Sequence, residues 1–216
     1  MNILLDFDGV VLRNERICSV INDRSIQYVA KKKNMRYNDA KTYNSRMYKS
    51  RGHTALSFDN SMTYHDEVCE YNLNVFHNLD FNQDIRPHIN EHDVSHINEL
   101  LLSFEGGKKP GLFTNTPLLW VHETLGMLGF DIDEVFDTDL LFTSDKGLVK
   151  PKLDAYEYIN RCCEDEHIVF IDDSEKNINA CEKYDNWIGL YVPTYNKTLL
   201  YSLISTLCMI DDIVKD

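Results

Sequence analysis

No run of apolar residues in these 216 reaches the roughly 18 to 20 that a membrane-spanning helix requires. No two of the six cysteines stand in CxxC spacing, and Cys162-Cys163 are adjacent, which suits neither a zinc site nor an ordinary disulfide. They read as reduced thiols, in keeping with an intracellular chain. Positive charge is scarce: 22 Lys and Arg against 35 Asp and Glu leave a net charge of −13. A surface of that sign repels phosphate backbones and anionic lipids. The one basic cluster, Lys31-Lys32-Lys33, reads as the cationic end of a solvated helix. Neither nucleic acid nor a membrane is expected as a partner. Internal repeats are lacking, and Asp6 arrives before any apolar stretch of signal-peptide length. The expectation is a soluble, cytoplasmic protein.

What is present has the makeup of a globular chain, 43% apolar and 26% charged. Short continuous apolar runs, the mark of strands buried on both faces, occur at 2–5, 111–114, 140–142, 168–171 and 188–192. Between them apolar residues fall at helical spacing, as in Val94, Ile97, Leu100, Leu101 and Phe104, or Leu118, Val121, Leu125 and Leu128. A tail with Leu199, Leu200, Leu203 and Leu207 predicts a closing amphipathic helix. This alternation predicts an α/β fold with an open, doubly wound parallel sheet, Rossmann-like and three layers deep. From Arg13 to Pro87 the rhythm breaks into helical stripes with no convincing strand. An all-helical cap over 13–86 is therefore expected, inserted into a core made of 1–12 and 87–216. Its hinges are placed near Leu12-Arg13 and Gln83–Pro87, where polar residues and proline gather.

Four of the apolar runs end in, or lead to, groups that carry chemistry. Asp6-Phe7-Asp8-Gly9 follows the first, Thr114-Asn115-Thr116 the second, Lys150-Pro151 lies beyond the third, and Asp172-Asp173-Ser174 follows the fourth. Ligands of open parallel sheets bind at the carboxyl ends of the strands, so these segments are expected around one crevice. Carboxylates crowded there repel unless a cation joins them, and oxygen-only ligands suit a hard ion such as Mg²⁺. A cation and an ammonium together attract a dianionic phosphate. A carboxylate can then attack phosphorus, while the next same-facing acid serves the leaving oxygen and then the attacking water.

In that order, these four segments resemble the motifs of the haloacid dehalogenase-like (HAD) superfamily. The resemblance covers about 1–12 and 87–216; the cap is matched only by position and helical character. It implies Asp6 as nucleophile, Asp8 as general acid/base, Thr114 and Asn115 on the transferring phosphoryl group, and Lys150 binding substrate and stabilising the intermediate. It implies Mg²⁺ held by Asp6, by Asp8 through its backbone carbonyl, and by Asp172 and Asp173, with Asp172 ahead of Asp173 as a direct ligand. The second acid, Asp8, favours phosphoryl chemistry over dehalogenation. The implied activity is Mg²⁺-dependent hydrolysis of a small soluble phosphomonoester through an aspartyl-phosphate. The stretches 149–152 and 171–177 are similar to pyrimidine 5′-nucleotidases, which points to a nucleoside monophosphate, with sugar phosphates next. The phosphoglycolate phosphatase and β-phosphoglucomutase branches share the motifs. A phosphomutase is thus the alternative enzyme, and a phosphate-binding scaffold the non-catalytic alternative. Substrate choice is expected in the cap, with Arg51-Gly52-His53-Thr54 the candidate loop and Arg51 and His53 the candidate contacts. An ordinary turn between helices is the competing reading of that loop. Arg13 stands open as a leaving-group contact or a hinge residue.

Overall fold

Five strands, β1 (Asn2–Leu5), β2 (Gly111–Phe113), β3 (Leu141–Phe142), β4 (Ile168–Asp172) and β5 (Trp187–Tyr191), form one sheet in the order β3-β2-β1-β4-β5. Every neighbouring pair is parallel, and each strand coincides with one of the apolar runs. Helices α1 (Glu15–Lys33), α2 (Tyr37–Arg51), α3 (Tyr64–Asn72) and α4 (Glu91–Ser103) lie between β1 and β2 in the chain. The later connections carry α5 (Leu118–Leu128), α6 (Ile132–Val135), α7 (Leu153–Cys162) and α8 (Glu175–Cys181), and α9 (Lys197–Lys215) closes the chain. The computed structural model describes residues 1–54, 63–104, 107–164, 166–193 and 196–215. Residues 55–62 of the expected cap lie outside the described residues.

Side chains alternate along a strand, so Leu5, Leu112 and Ile171 enter one apolar cluster while Leu4, Phe113 and Phe170 enter another. Leu100 of α4, Leu125 of α5 and Leu200 of α9 join the first cluster; Tyr156 and Ile159 of α7 and Ile178 of α8 join the second. Both faces of the sheet are thereby covered. The fold is α/β, Rossmann-like and three layers deep. With β1 flanked by β2 and β4, the strand order reverses beside β1, which is where such sheets open a crevice. Among the described residues no helix is long and apolar enough to cross a membrane.

The insert between β1 and β2 contains no strand among its described residues. Buried Asn14 ties its two ends together. Its Oδ1 accepts from the N–H groups of Arg16 and Ile17 at 3.0 and 3.1 Å, capping α1. Its Nδ2 donates to His88 O at 2.9 Å and to Asp93 Oδ2 at 2.7 Å, on the returning chain. The return differs from the polar linker expected at Gln83–Pro87: Phe81–Ile85 forms a π-helical turn and Arg86–His88 a 3₁₀ turn. Asp80 caps the first, accepting from Gln83 N at 3.2 Å, and Pro87 suits the start of the second because no N–H is needed there. Helix α2 had no apolar stripe to announce it. Of its fifteen residues only Ala40 and Asn44 are buried.

Candidate active site

The backbone extends the pairing of β1 by one residue, with Asp6 N–H donating to Ile171 O at 2.9 Å. Alternation then sends Phe7, fully buried, into the core and returns Asp8 to the cavity that Asp6 lines. The chain turns back at once, the N–H groups of Val11 and Leu12 both reaching Phe7 O, at 2.9 and 2.8 Å. Gly9 sits in this turn at φ +92°, and a Cβ there would come within 2.2 Å of the Asp173 carboxylate. Handedness and space both demand glycine.

Asp8 Oδ1 accepts from Trp120 Nε1 at 3.1 Å, while Oδ2 is buried with no hydrogen-bond partner among the described residues. Burial pushes the Asp8 carboxyl up to about 6, against the Trp120 bond, which favours the charged form. A group that must give and later take a proton works best near that value. Trp120 itself is fully buried at the start of α5. Phe76 and Phe81, from the returning part of the insert, lie against it with ring centroids 5.6 and 6.0 Å away.

Lys150 arrives from the loop after β3 and is fully buried. Its three ammonium protons have three acceptors: Phe113 O at 2.8 Å, Asp172 Oδ2 at 2.6 Å and Asp6 Oδ1 at 2.9 Å. Burial opposes its charge, but the Asp172 and Asp6 carboxylates outweigh that and hold its pKa above the ordinary lysine value. Asn115, expected on the substrate, lines the cavity. Its side-chain amide, however, is engaged by the backbone of Lys150: Oδ1 accepts from Lys150 N at 2.7 Å and Nδ2 donates to Lys150 O at 3.0 Å. Thr114, also in the lining, is buried with its Oγ1 2.9 Å from Thr116 Oγ1.

The Asp172 carboxylate is fully engaged as well. Its Oδ1 accepts from Ser174 N at 2.7 Å and Asn177 Nδ2 at 3.1 Å; its Oδ2 accepts from Lys150 Nζ at 2.6 Å and Asn177 Nδ2 at 2.9 Å. A carboxylate offers about four lone-pair sites, and these contacts use them. Asp173 instead lines the cavity beside Gly9. Asp172 and Asp173 both stand within reach of one ion.

One oxygen from each of Asp6, Asp172 and Asp173 lies within 4.8 Å of the others. Burial raises the Asp6 pKa well above its usual value; Lys150 opposes the rise, and the charges of Asp172 and Asp173 add to it. Three carboxylates against one ammonium leave a deficit that a divalent cation would fill. The donors are all oxygen, the set preferred by a hard cation. These residues fit Mg²⁺. Asp8 adds no side-chain oxygen to the cluster; its expected part was through the backbone carbonyl.

A cavity of about 690 Å³ joins this crevice to the insert. Of the candidate loop, His53 and Thr54 line it. His53 is 4% exposed, and burial lowers its pKa to about 4, so the ring is neutral at physiological pH. Gly52, at φ +83°, seats the loop: a Cβ there would meet Pro151 Cδ at 2.4 Å. Arg51 is exposed and is not part of the lining. Arg13 lines the cavity while its Nε donates to Val10 O at 3.0 Å.

Trp120, and Asn44 and Tyr48 of α2, which also line the cavity, carry no signal in the sequence that would single them out, and Asn177, in a stretch the resemblance covers, gives no sign there of its two hydrogen bonds to Asp172. A buried tryptophan needs a partner for its N–H, and the polar residues of α2 recur at helical spacing. Neither feature names the partner.

No family model matches the sequence, and no curated protein matches it. Among solved structures, a HAD phosphatase from Thermococcus onnurineus is similar over 88% of this chain and 85% of its own, at 17% identity and a TM-score of 0.48. Similarity of that degree carries no argument about activity, which rests on the geometry above.

Proposed function

We propose that this chain is a HAD-like phosphatase that hydrolyses a small soluble phosphomonoester by way of an aspartyl-phosphate on Asp6. The observation that carries this reading is the meeting of Asp6, Asp8, Thr114, Lys150 and Asp173 from four separate strand ends, with Asp8 held near neutrality by burial. Asp6 Oδ1 is occupied by Phe7 N at 2.7 Å and by Lys150, which leaves Oδ2 to form the new bond to phosphorus as the ester oxygen departs. Protonated Asp8 gives its proton to that oxygen. As a carboxylate, Asp8 then takes a proton from the water that displaces Asp6 from phosphorus. Thr114 supplies a hydroxyl donor for the phosphoryl oxygens, and Lys150 holds Asp6 in place, its charge opposing the burial that favours the protonated carboxyl. Asp6, Asp172 and Asp173 would hold Mg²⁺, which when bound would supply positive charge that draws the phosphate and offsets charge on its oxygens. A nucleoside monophosphate or a sugar phosphate is the substrate class proposed, since the cavity volume lies in the range of roughly 300–1,000 Å³ that takes molecules of that size.

Release of phosphate from p-nitrophenyl phosphate tests the reading. Turnover is expected with Mg²⁺, is abolished by EDTA and returns when Mg²⁺ is restored. Folded protein that fails to release phosphate in Mg²⁺ would overturn it.

A further inference from the structure

Lys41, Asn44, Ser45, Tyr48 and Lys49 of α2 all line the cavity. Their spacings of three and four residues place them on one face of the helix. From Lys41 to Lys49 that face runs about 12 Å, at a rise of about 1.5 Å per residue. Asn44 is 5% exposed, and its Oδ1 accepts from Thr54 Oγ1 at 3.0 Å. That contact sets the orientation of the amide and leaves Nδ2, which donates to no described residue, as its open end. The Tyr48 hydroxyl also bonds no described residue. Neither Lys41 nor Lys49 forms an ion pair among the described residues, in a chain whose net charge is −13.

These are donors almost throughout: an amide NH₂, a phenol, a hydroxyl and two ammonium groups. Among the described residues, the insert's share of the lining holds three permanent cations, Arg13, Lys41 and Lys49, against one acid, Glu15. The phosphoryl group is provided for elsewhere, by Asp6, Thr114 and Lys150. The complement of this second wall is an acceptor-rich group that brings negative charge of its own.

We infer that the α2 face recognises the leaving group, and that the substrate is a phosphomonoester whose alcohol portion carries a second anionic group, a carboxylate or another phosphate. The inference rests on the phosphatase reading of the same site and narrows its substrates away from nucleoside monophosphates, whose alcohol portion is neutral, to esters with a second anion. If the two lysines served only to attract phosphate, they would help every phosphomonoester equally; recognition of the leaving group helps only one kind.

Matched substrates separate these roles. With the full chain and Mg²⁺, kcat/KM is measured for 3-phosphoglycerate against glycerol 3-phosphate, and for fructose 1,6-bisphosphate against fructose 6-phosphate, with p-nitrophenyl phosphate as the reference. At least one anionic member is expected to exceed its partner tenfold or more, and the pair that shows it identifies carboxylate or phosphate. The double variant Lys41→Glu/Lys49→Glu, at two exposed positions, is expected to erase that preference mainly through KM, with its fold checked by circular dichroism. Turnover of p-nitrophenyl phosphate without any preference, or equal losses on both members of a pair in the variant, overturns the inference and leaves the phosphatase standing. Absence of turnover on p-nitrophenyl phosphate overturns both.

Discussion

The two walls of the cavity are built on opposite rules. On the sheet side, Lys150 and Asp172 have every proton and lone pair engaged by neighbours. On the insert side, Asn44, Tyr48, Lys41 and Lys49 hold donors that no described residue accepts. A group that must attack or stabilise in one geometry gains from being over-determined, because nothing has to reorganise when charge develops. A group that must recognise a ligand gains from being incomplete until the ligand arrives. On the function proposed above, chemistry belongs to the first wall and selection to the second.

The largest expected effect falls on the sheet wall. Asp6→Asn should lower phosphate release by about a thousandfold or more, since a neutral amide cannot serve as the nucleophile. The circular dichroism of the variant should stay native. Activity within an order of magnitude of the unmodified protein would mean that the chemistry lies elsewhere. Lys150→Met comes next, because it leaves the Asp6 and Asp172 carboxylates buried and unpaired. Breaking a buried ion pair from one side costs about 3–5 kcal/mol, to be read from the denaturant midpoint. A midpoint unchanged from the parent would show that the sheet wall is not held as described.

Acidity bears on the same wall. Asp8 titrates at about 6 in the folded protein and at about 3.9 in an unfolded chain. The folded state therefore keeps a proton that the unfolded state releases, and without metal the contribution of this group to stability should fall as pH rises through that window, against the opposite contribution of buried His53 and His96, both lowered to about 4. In EDTA the parent's melting temperature should accordingly change less favourably from pH 5 to pH 7.5 than that of Asp8→Asn, which lacks this contribution alone. Added Mg²⁺ should raise it more at pH 7.5, where the carboxylates it joins are ionised. A Mg²⁺ effect that did not grow with pH would count against the carboxylate cluster as its seat.

How far each wall could be read from the sequence follows from the same contrast. The sheet wall is announced because strands buried on both faces leave continuous apolar runs, and acids at their ends stand out against them. Asp6, Thr114 and Asp172 each follow such a run directly. The insert wall is not announced, because α2 buries only Ala40 and Asn44 and lacks an apolar stripe. His53 could be named from its loop, but nothing in that loop told it from Arg51, which is exposed and outside the lining. Asn115 was legible as a member of the site and not as the clamp on Lys150, since that role depends on a contact 35 positions away. Trp120 was hidden in the same way.

Trp120 offers a finer test, since it touches the sheet wall and the insert together. Trp120→Phe keeps a ring against Phe76 and Phe81 but removes the N–H that binds Asp8 Oδ1. That bond favours the charged carboxylate, so its loss should move the Asp8-dependent limb of the pH–rate profile to higher pH. With Asp8 less firmly placed, kcat should fall about tenfold on an alkyl phosphate, within the range that general acid catalysis supplies. The loss should be smaller on p-nitrophenyl phosphate, whose leaving group needs little help from a proton. Equal losses on both would reduce Trp120 to packing.

The smallest effect expected is at the seam between the walls. Gly52 has φ +83°, and its missing Cβ makes room for Pro151. Gly52→Ala adds left-handed strain of about 1–2 kcal/mol and a contact that one side must relieve. The sheet side cannot give easily, because Asn115 holds both the N–H and the carbonyl of Lys150. The loop should move instead, carrying His53 and Thr54 with it and, through Thr54, loosening the amide of Asn44. The outcome expected is a KM raised a few-fold for the preferred substrate, a kcat close to that of the parent, and a melting temperature lower by a few degrees. A fall in kcat with KM unchanged would mean that the loop supports the reacting groups themselves, and the division of labour between the two walls would not hold.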